Sequence, residues 1–182
     1  MRFFLYIFIM SCLATACGSV ERDVTTLDID ENWLQEIASN SYHEGAIINK
    51  EVFFNDQSNK KTISPKNDSV ISDELVMLKS LEFHKYIATD STEQRDTIAY
   101  HYSHGENKIT TSILDNKTVS HTFFRHRENE LFKATYLTKL SLQQRNDKTV
   151  ISSIESDITQ SFLPTNQTTT YKIRSEFVYD GE

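Results

Sequence analysis

Six histidines in a chain of 182 residues are the first place to look for a metal site, because neutral imidazole is the commonest metal ligand. His101 and His104 stand three apart, and His121 and His126 five apart. On a strand an odd separation puts two side chains on opposite faces, so neither pair shares an ion. His101 and His121 can meet only across strands, and no fixed spacing supplies a third ligand. The histidines are therefore read as solvated surface residues. Serines are abundant, yet none lies in the G-x-S-x-G turn that exposes a hydrolase nucleophile. Two carboxylate pairs, Glu128 with Glu130 and Glu155 with Asp157, have the residue types of a glycosidase dyad, but nothing separates them from ordinary solvated acids. Arg125-His126-Arg127, preceded by Phe123-Phe124, is the one local concentration of positive charge and aromatic rings. It reads as a strand end with its charges in water, or as a patch for an acidic partner or a lipid headgroup. No catalytic residue, cofactor or metal ligand is assigned.

The cysteines carry a sharper signal. Met1-Arg2 is followed by Phe3-Phe4-Leu5-Tyr6-Ile7-Phe8-Ile9-Met10 and then by small residues up to Cys17-Gly18-Ser19. A positive start, a short apolar core and a small-residue end are the parts of a secretory signal. The apolar run is far short of the roughly 20 residues that span a bilayer. Ala14-Thr15-Ala16-Cys17 resembles the lipobox of bacterial lipoproteins, with leucine four residues before the cysteine (Leu13) rather than the usual three. The resemblance implies diacylation of the Cys17 thiol, cleavage after Ala16 and acylation of the new amino group. Gly18 and Ser19 lack the aspartate that often retains such proteins at the inner membrane, which favours the outer membrane, on its periplasmic side or at the surface. Cys12 is the competing acceptor, but choosing it leaves a much shorter apolar core. An anchor of two or three acyl chains, at about 0.8 kcal/mol per buried methylene, does not readily come off.

Removal of residues 1–16 takes away only Arg2, leaving 18 basic against 26 acidic side chains, a net charge of −8. That balance points away from nucleic acid, whose phosphates need clustered Lys and Arg. The one remaining cysteine is the lipid acceptor, so no disulfide is expected and a hydrophobic core must hold the domain together. Only four glycines are present, too few and too scattered for a phosphate-cradling loop, so no nucleotide is expected.

The elements that position these residues change character along the chain. Residues 17–27 are the lipidated cysteine and a polar tether; residues 28–182 form a single α+β domain. Asp28 or Asp30 caps a first helix with Trp33, Leu34, Ile37 and Ala38 on its apolar face. Strands over Ala46–Phe54 and Lys60–Ser64 flank the turn Asn55-Asp56-Gln57-Ser58. A second helix starts near Ser69 or Ser72, with Asp73 and Glu74 in its first turn and Ile71, Leu75, Leu78 and Phe83 as one buried stripe. From Asp96 onward apolar and polar residues alternate, as in Ile98-Ala99-Tyr100-His101-Tyr102 and along 132–142, which is the antiparallel pattern. Turn residues at Gly105-Glu106-Asn107, Asp115-Asn116, Glu128-Asn129 and Asn146-Asp147 are too closely spaced for parallel crossovers. Seven or eight strands are expected in all.

The expected fold is therefore α+β, with two N-terminal helices packed on a curved antiparallel β-meander, an open half-barrel in outline. That outline looks like the open half-barrels that carry lipid or lipoprotein in the periplasm. The composition is similar to that of small Bacteroidota-type envelope lipoproteins. Phe123, Phe124, Phe132, Tyr136, Phe162, Tyr171, Phe177 and Tyr179 either fill the space between sheet and helices or line an apolar groove for acyl chains. Three functions follow: a non-catalytic binding or structural lipoprotein of the cell envelope, an accessory subunit docking on a larger envelope complex, and a lipid or lipoprotein carrier. The partners expected are the membrane, through the N-terminal lipid, and an envelope protein or lipid ligand.

Overall fold

The structure is a computed structural model and describes residues 27, 29–54, 57–115 and 117–179. The signal peptide, Cys12, Cys17 and nearly all of the tether lie outside these residues. Among the described residues no helix is long and apolar enough to cross a membrane.

The first helix, α1 (Glu31–His43), starts where expected: Asp30 caps it, its side chain accepting from the Trp33 amide at 2.7 Å. It ends in a Schellman turn, with Ala46 N–H donating to Ser41 O and Gly45 N–H to Tyr42 O. Gly45 has φ +78° there, a left-handed conformation that costs a side chain-bearing residue energy. Leu34, Ile37 and Ala38 are fully buried, each of the two larger ones stabilising the fold by about 1.5–3 kcal/mol. The predicted second helix is instead a broken crossing: α2 (Asp68–Glu74), α3 (Val76–Lys79) and a 3-10 turn at Phe83–Lys85. Leu75, at φ −93° and ψ 2°, interrupts the helical backbone. The predicted stripe is nevertheless buried, since Ile71, Leu75, Leu78 and Phe83 all enter the core. Because α2 begins three residues earlier than its apolar pattern, from Asn67, Asp73 and Glu74 fall in its last turn rather than its first.

Nine strands form one open antiparallel sheet: β1 (Ile47–Phe54), β2 (Gln57–Ile63), β3 (Ile87–Gln94), β4 (Thr97–His104), β5 (Asn107–Leu114), β6 (Lys117–Glu128), β7 (Phe132–Arg145), β8 (Lys148–Phe162) and β9 (Gln167–Val178). Their order is β2-β1-β9-β8-β7-β6-β5-β4-β3. The strands β3 to β9 are a meander, and the β1–β2 hairpin joins its far side through β9. The predicted meander is thus present, as a sheet that does not close, with helices fewer and shorter than a balanced α+β fold. Strand β3 is the addition to the expected count, and β2 begins three residues early.

One face of the sheet carries the helices and the other faces water. We call them inner and outer. Buried residues alternate along the central strands, as in Ile109 and Thr111, His121 and Phe123, Thr138 and Leu140, and Ser175 and Phe177. The alternation slips once in β8, where Val150 and Ile151 are both fully buried. Next to them is a bulge that sets the inward Ile151 and Ile154 three apart: Ser141 pairs with Ser153 but Leu142 with Ile151, leaving Ser152 extra. The bulge is clamped from two distant segments. Ile151 N–H donates to Ser41 Oγ of α1 at 2.9 Å, and the Tyr179 hydroxyl donates to Ile151 O. Ser41→Ala leaves that buried amide without an acceptor and is expected to cost about 1–3 kcal/mol. A urea midpoint that falls with an unchanged slope is the expected reading; an unshifted midpoint refutes the clamp.

The β7–β8 turn closes over the end of α1. Asn146 and Asp147 both have positive φ, the backbone of a two-residue hairpin turn. Asn146 Nδ2 donates to Glu44 Oε2 at 2.5 Å, and Lys148 and Arg145 lie 3.5 and 3.7 Å from the same carboxylate.

Candidate functional site

The register assigns every predicted side chain to a face. On the outer face one row crosses all nine strands: Lys60, Glu51, Arg174, Glu155, Lys139, Thr122, Thr110, His101 and Asp90. Charges of opposite sign alternate along its first five members, the arrangement that stabilises cross-strand neighbours. Glu155 sits between Arg174 and Lys139 in this row. Asp157 lies 3.9 Å from Lys172. Glu128 is 3.2 Å from His126 and 3.6 Å from Lys133, and Glu130 is exposed in the β6–β7 turn. Glu128 and Asp157 are exposed partners of cations, and Glu130 is an exposed acid of the turn.

The histidine pairs split between faces, as odd separation demands. His101 is on the outer face between Thr92 Oγ1 and Thr110 Oγ1, each at 3.1 Å. His104 is exposed, with its ring 6.0 Å from that of Tyr86. Since His121 is on the inner face, His101 and His121 do not meet. Among the described residues no group of three or more His, Cys, Asp or Glu side chains is placed to hold a metal ion.

One reading is corrected: His121 is not solvated. It is 4% exposed, bonded to Thr111 Oγ1 at 2.9 Å, and the Trp33 ring stands edge-on to it at 5.1 Å. Desolvation alone pushes its pKa down to about 4, so the ring is neutral at pH 7. The signal was available, because His121 is in phase with Phe123 on its strand.

The helices cover only part of the inner face. Trp33 lies on His121, and the carboxylate of Glu74, at the end of α2, accepts from Lys50 Nζ at 2.8 Å and from Ser175 Oγ at 2.9 Å. That bridge was not foreseen; Lys50 and Ser175 are opposite each other in register. Beyond it the long strands continue. The next row but one reads Arg125, Tyr136, Ile158, Tyr171 and Phe54, and further out lie Arg127 opposite Ala134 and Phe132 opposite Phe162. Phe54 and Tyr171 stack at 5.0 Å, and Phe132 and Phe162 meet at 5.2 Å. Phe54 is nevertheless 41% and Phe132 50% exposed. An open depression of about 590 Å³ lies here, lined by Arg127, Phe132, Ala134, Tyr136 and Gln160, with His126, Glu128 and Asn129 on its rim. Of the predicted aromatic set, Phe123, Phe177 and Tyr179 fill the core, Phe124 is on the outer face, and Phe132, Tyr136, Phe162 and Tyr171 gather at this uncovered end.

The basic cluster is divided by the pleat. Arg125 and Arg127 point to the inner face, His126 to the outer one beside Glu106 and Glu128. Arg125 Nη1 donates to Ser80 Oγ, just after α3, at 2.7 Å. This bond marks where the helical crossing ends and the uncovered surface begins. The arrangement can bind an apolar body against the rings and an anion against the guanidinium groups.

Among those compared, the chain matches no protein family, no curated protein and no solved structure.

Proposed function

We propose that the chain is a lipid-anchored lipoprotein of the bacterial cell envelope with a non-catalytic binding role, and that the uncovered end of its inner face is the binding surface. The anchor is supported by the apolar run Phe3–Met10 and the lipobox-like Ala14-Thr15-Ala16-Cys17, with the outer membrane as the favoured site. The observation that carries the binding role is the pair of aromatic contacts, Phe54 with Tyr171 and Phe132 with Phe162. They stand in water on the face that forms the core elsewhere, and apolar surface left in contiguous patches marks interaction sites. Bulges in β3, β6 and β8 bend strands, in keeping with a sheet that curls round its helices as an open half-barrel.

Docking on a larger envelope complex is favoured by a second observation. Phe124 and Leu137 are opposite each other on the outer face, and Leu137 is exposed.

The anchor is tested by metabolic palmitate labelling and intact mass of the membrane fraction. Label and membrane retention are expected to vanish in Cys17→Ala and to survive in Cys12→Ala. Label that persists in Cys17→Ala moves the acceptor to Cys12, and a wild-type chain that is never labelled overturns the anchor.

A further inference from the structure

The two faces of the sheet differ in charge as well as in polarity. The outer face mixes signs in its central row. On the inner face, from the row of Phe123 to the β6–β7 turn, the described positions of β6 to β9 and β1 are Phe123, Arg125, Arg127; Phe132, Ala134, Tyr136, Thr138; Ser156, Ile158, Gln160, Phe162; Gln167, Thr169, Tyr171, Ile173; and Val52, Phe54. None is a carboxylate. In a chain with 26 acidic against 19 basic side chains, this stretch holds two charges, and both are guanidinium groups. Arg125 is bonded to the neutral Ser80 hydroxyl. Arg127 is exposed and has no ion pair among the described residues.

We infer that this surface takes an anionic lipid, its hydrocarbon chain lying over Tyr136, Tyr171 and Phe54, between which Ile158 is buried, and its phosphate or carboxylate held by Arg125 and Arg127. The inference rests on reading the uncovered end as the binding surface, and it adds the ligand class and the residues that select it. Charge complementarity supplies the headgroup, because guanidinium forks bind such oxyanions through paired hydrogen bonds. The floor supplies the chain. Its backbone N–H and C=O groups are engaged in the ladders between β6, β7, β8, β9 and β1. An extended peptide laid across it finds no backbone partners, since strand addition needs a free sheet edge. Hydrocarbon needs no such partners. At the Arg127 end the floor runs into the open depression of about 590 Å³, where Tyr136 and Phe132 lie beside Arg127 and where Glu128 and His126 form part of the rim; that volume is in the range of small-molecule sites, roughly 300–1,000 Å³.

The test is photolabelling of the full chain in phosphatidylcholine vesicles with hexadecyl phosphate bearing a diazirine near the chain end, beside the matching hexadecanol. Adducts are expected on β1, β7 and β9, at or next to Phe54, Tyr136 and Tyr171. Arg125→Gln with Arg127→Gln is expected to cut labelling by the phosphate about tenfold or more and to leave labelling by the alcohol unchanged. Unaltered Trp33 emission reports that the double variant is folded; if it is not, Arg127→Gln alone, which removes no ion pair among the described residues, is expected to lower the phosphate label severalfold. Adducts scattered over the outer face, equal labelling of wild type and variant by the phosphate, or displacement by an acidic apolar peptide but not by unlabelled hexadecyl phosphate each overturn the inference. The palmitate experiment on Cys17 reads separately, so loss of the anchor and loss of the ligand site are distinguishable.

Discussion

Acidification from pH 7 to pH 4 is expected to remove about 3 kcal/mol of stability through His121 alone. In the folded chain this imidazole titrates near 4 because it is desolvated under Trp33 and against Phe123; in the unfolded chain it titrates at an ordinary value of about 6.5. Between those two values the unfolded state binds the proton and the folded state does not. Stability is therefore intact above about pH 6.5, lower by about 2 kcal/mol at pH 5, and lower by about 3 kcal/mol at pH 4, with no further loss from this group once both states are protonated. Carboxylates add their own dependence at the acid end, so the decisive comparison is with His121→Gln, which has no proton to gain and can still bond Thr111. Urea midpoints followed by fluorescence across pH 4–7 separate the two. Trp33, the chain's single tryptophan, stands against the imidazole and reports its state directly. Wild-type and variant curves that run parallel refute a neutral buried histidine.

Truncation of Tyr179 is expected to cost more than that of a typical core residue. Its ring is 1% exposed, Arg145 packs over it at 5.3 Å, and its hydroxyl bonds the carbonyl of the bulged Ile151. Tyr179→Ala combines a large cavity with a lost partner, and about 3–5 kcal/mol is expected, lowering the melting temperature by on the order of 10 °C. Tyr179→Phe keeps the ring and isolates the hydrogen bond, for which about 1 kcal/mol is expected. Calorimetry of both variants decides the matter. If Phe costs as much as Ala, the hydroxyl rather than the packing holds the bulge; if neither shifts the transition, Tyr179 is no part of the cooperative core.

The elements that were legible in the sequence are those whose local chemistry agrees with their place in the fold. Asp30 caps α1, its apolar face is the buried one, and Asn146-Asp147 turns β7 into β8. Strand β3 was not legible. Ile87-Ala88-Thr89-Asp90-Ser91-Thr92-Glu93-Gln94 sits at the sheet edge with most of its residues exposed, so it shows no alternation of apolar and polar residues. The second helix was overextended because its buried stripe is real while its backbone is not continuous. A stripe reports which side chains face the core, not whether Leu75 keeps helical dihedrals.

For the site, local pattern was a weaker guide still. The sequence showed that Arg125 and Arg127 are near aromatics, and the pleat separates them from His126. What it could not show is that residues from Phe54 to Tyr171 share one row, since that depends on the register of four strand pairings. The Lys50–Glu74–Ser175 bridge was equally out of reach, because α2 meets β1 and β9 only through the tertiary fold.

The place of β1 bears on how this sheet comes into being. Most neighbouring strands are hairpins and pair soon after their turn forms. Strand β1 pairs with β9 across 131 positions, from Ile47 to Val178, and α1 rests on β8. Closing so long a loop costs conformational entropy before any contact offsets it, and topologies rich in such pairings fold slowly. A chain arriving amino end first has its opening helix and hairpin waiting, their apolar faces in water, until the last strand is delivered. One that stops at Asn166 has all the hairpins from β3 to β8, yet its first strand is left with β2 for company on one side and nothing on the other.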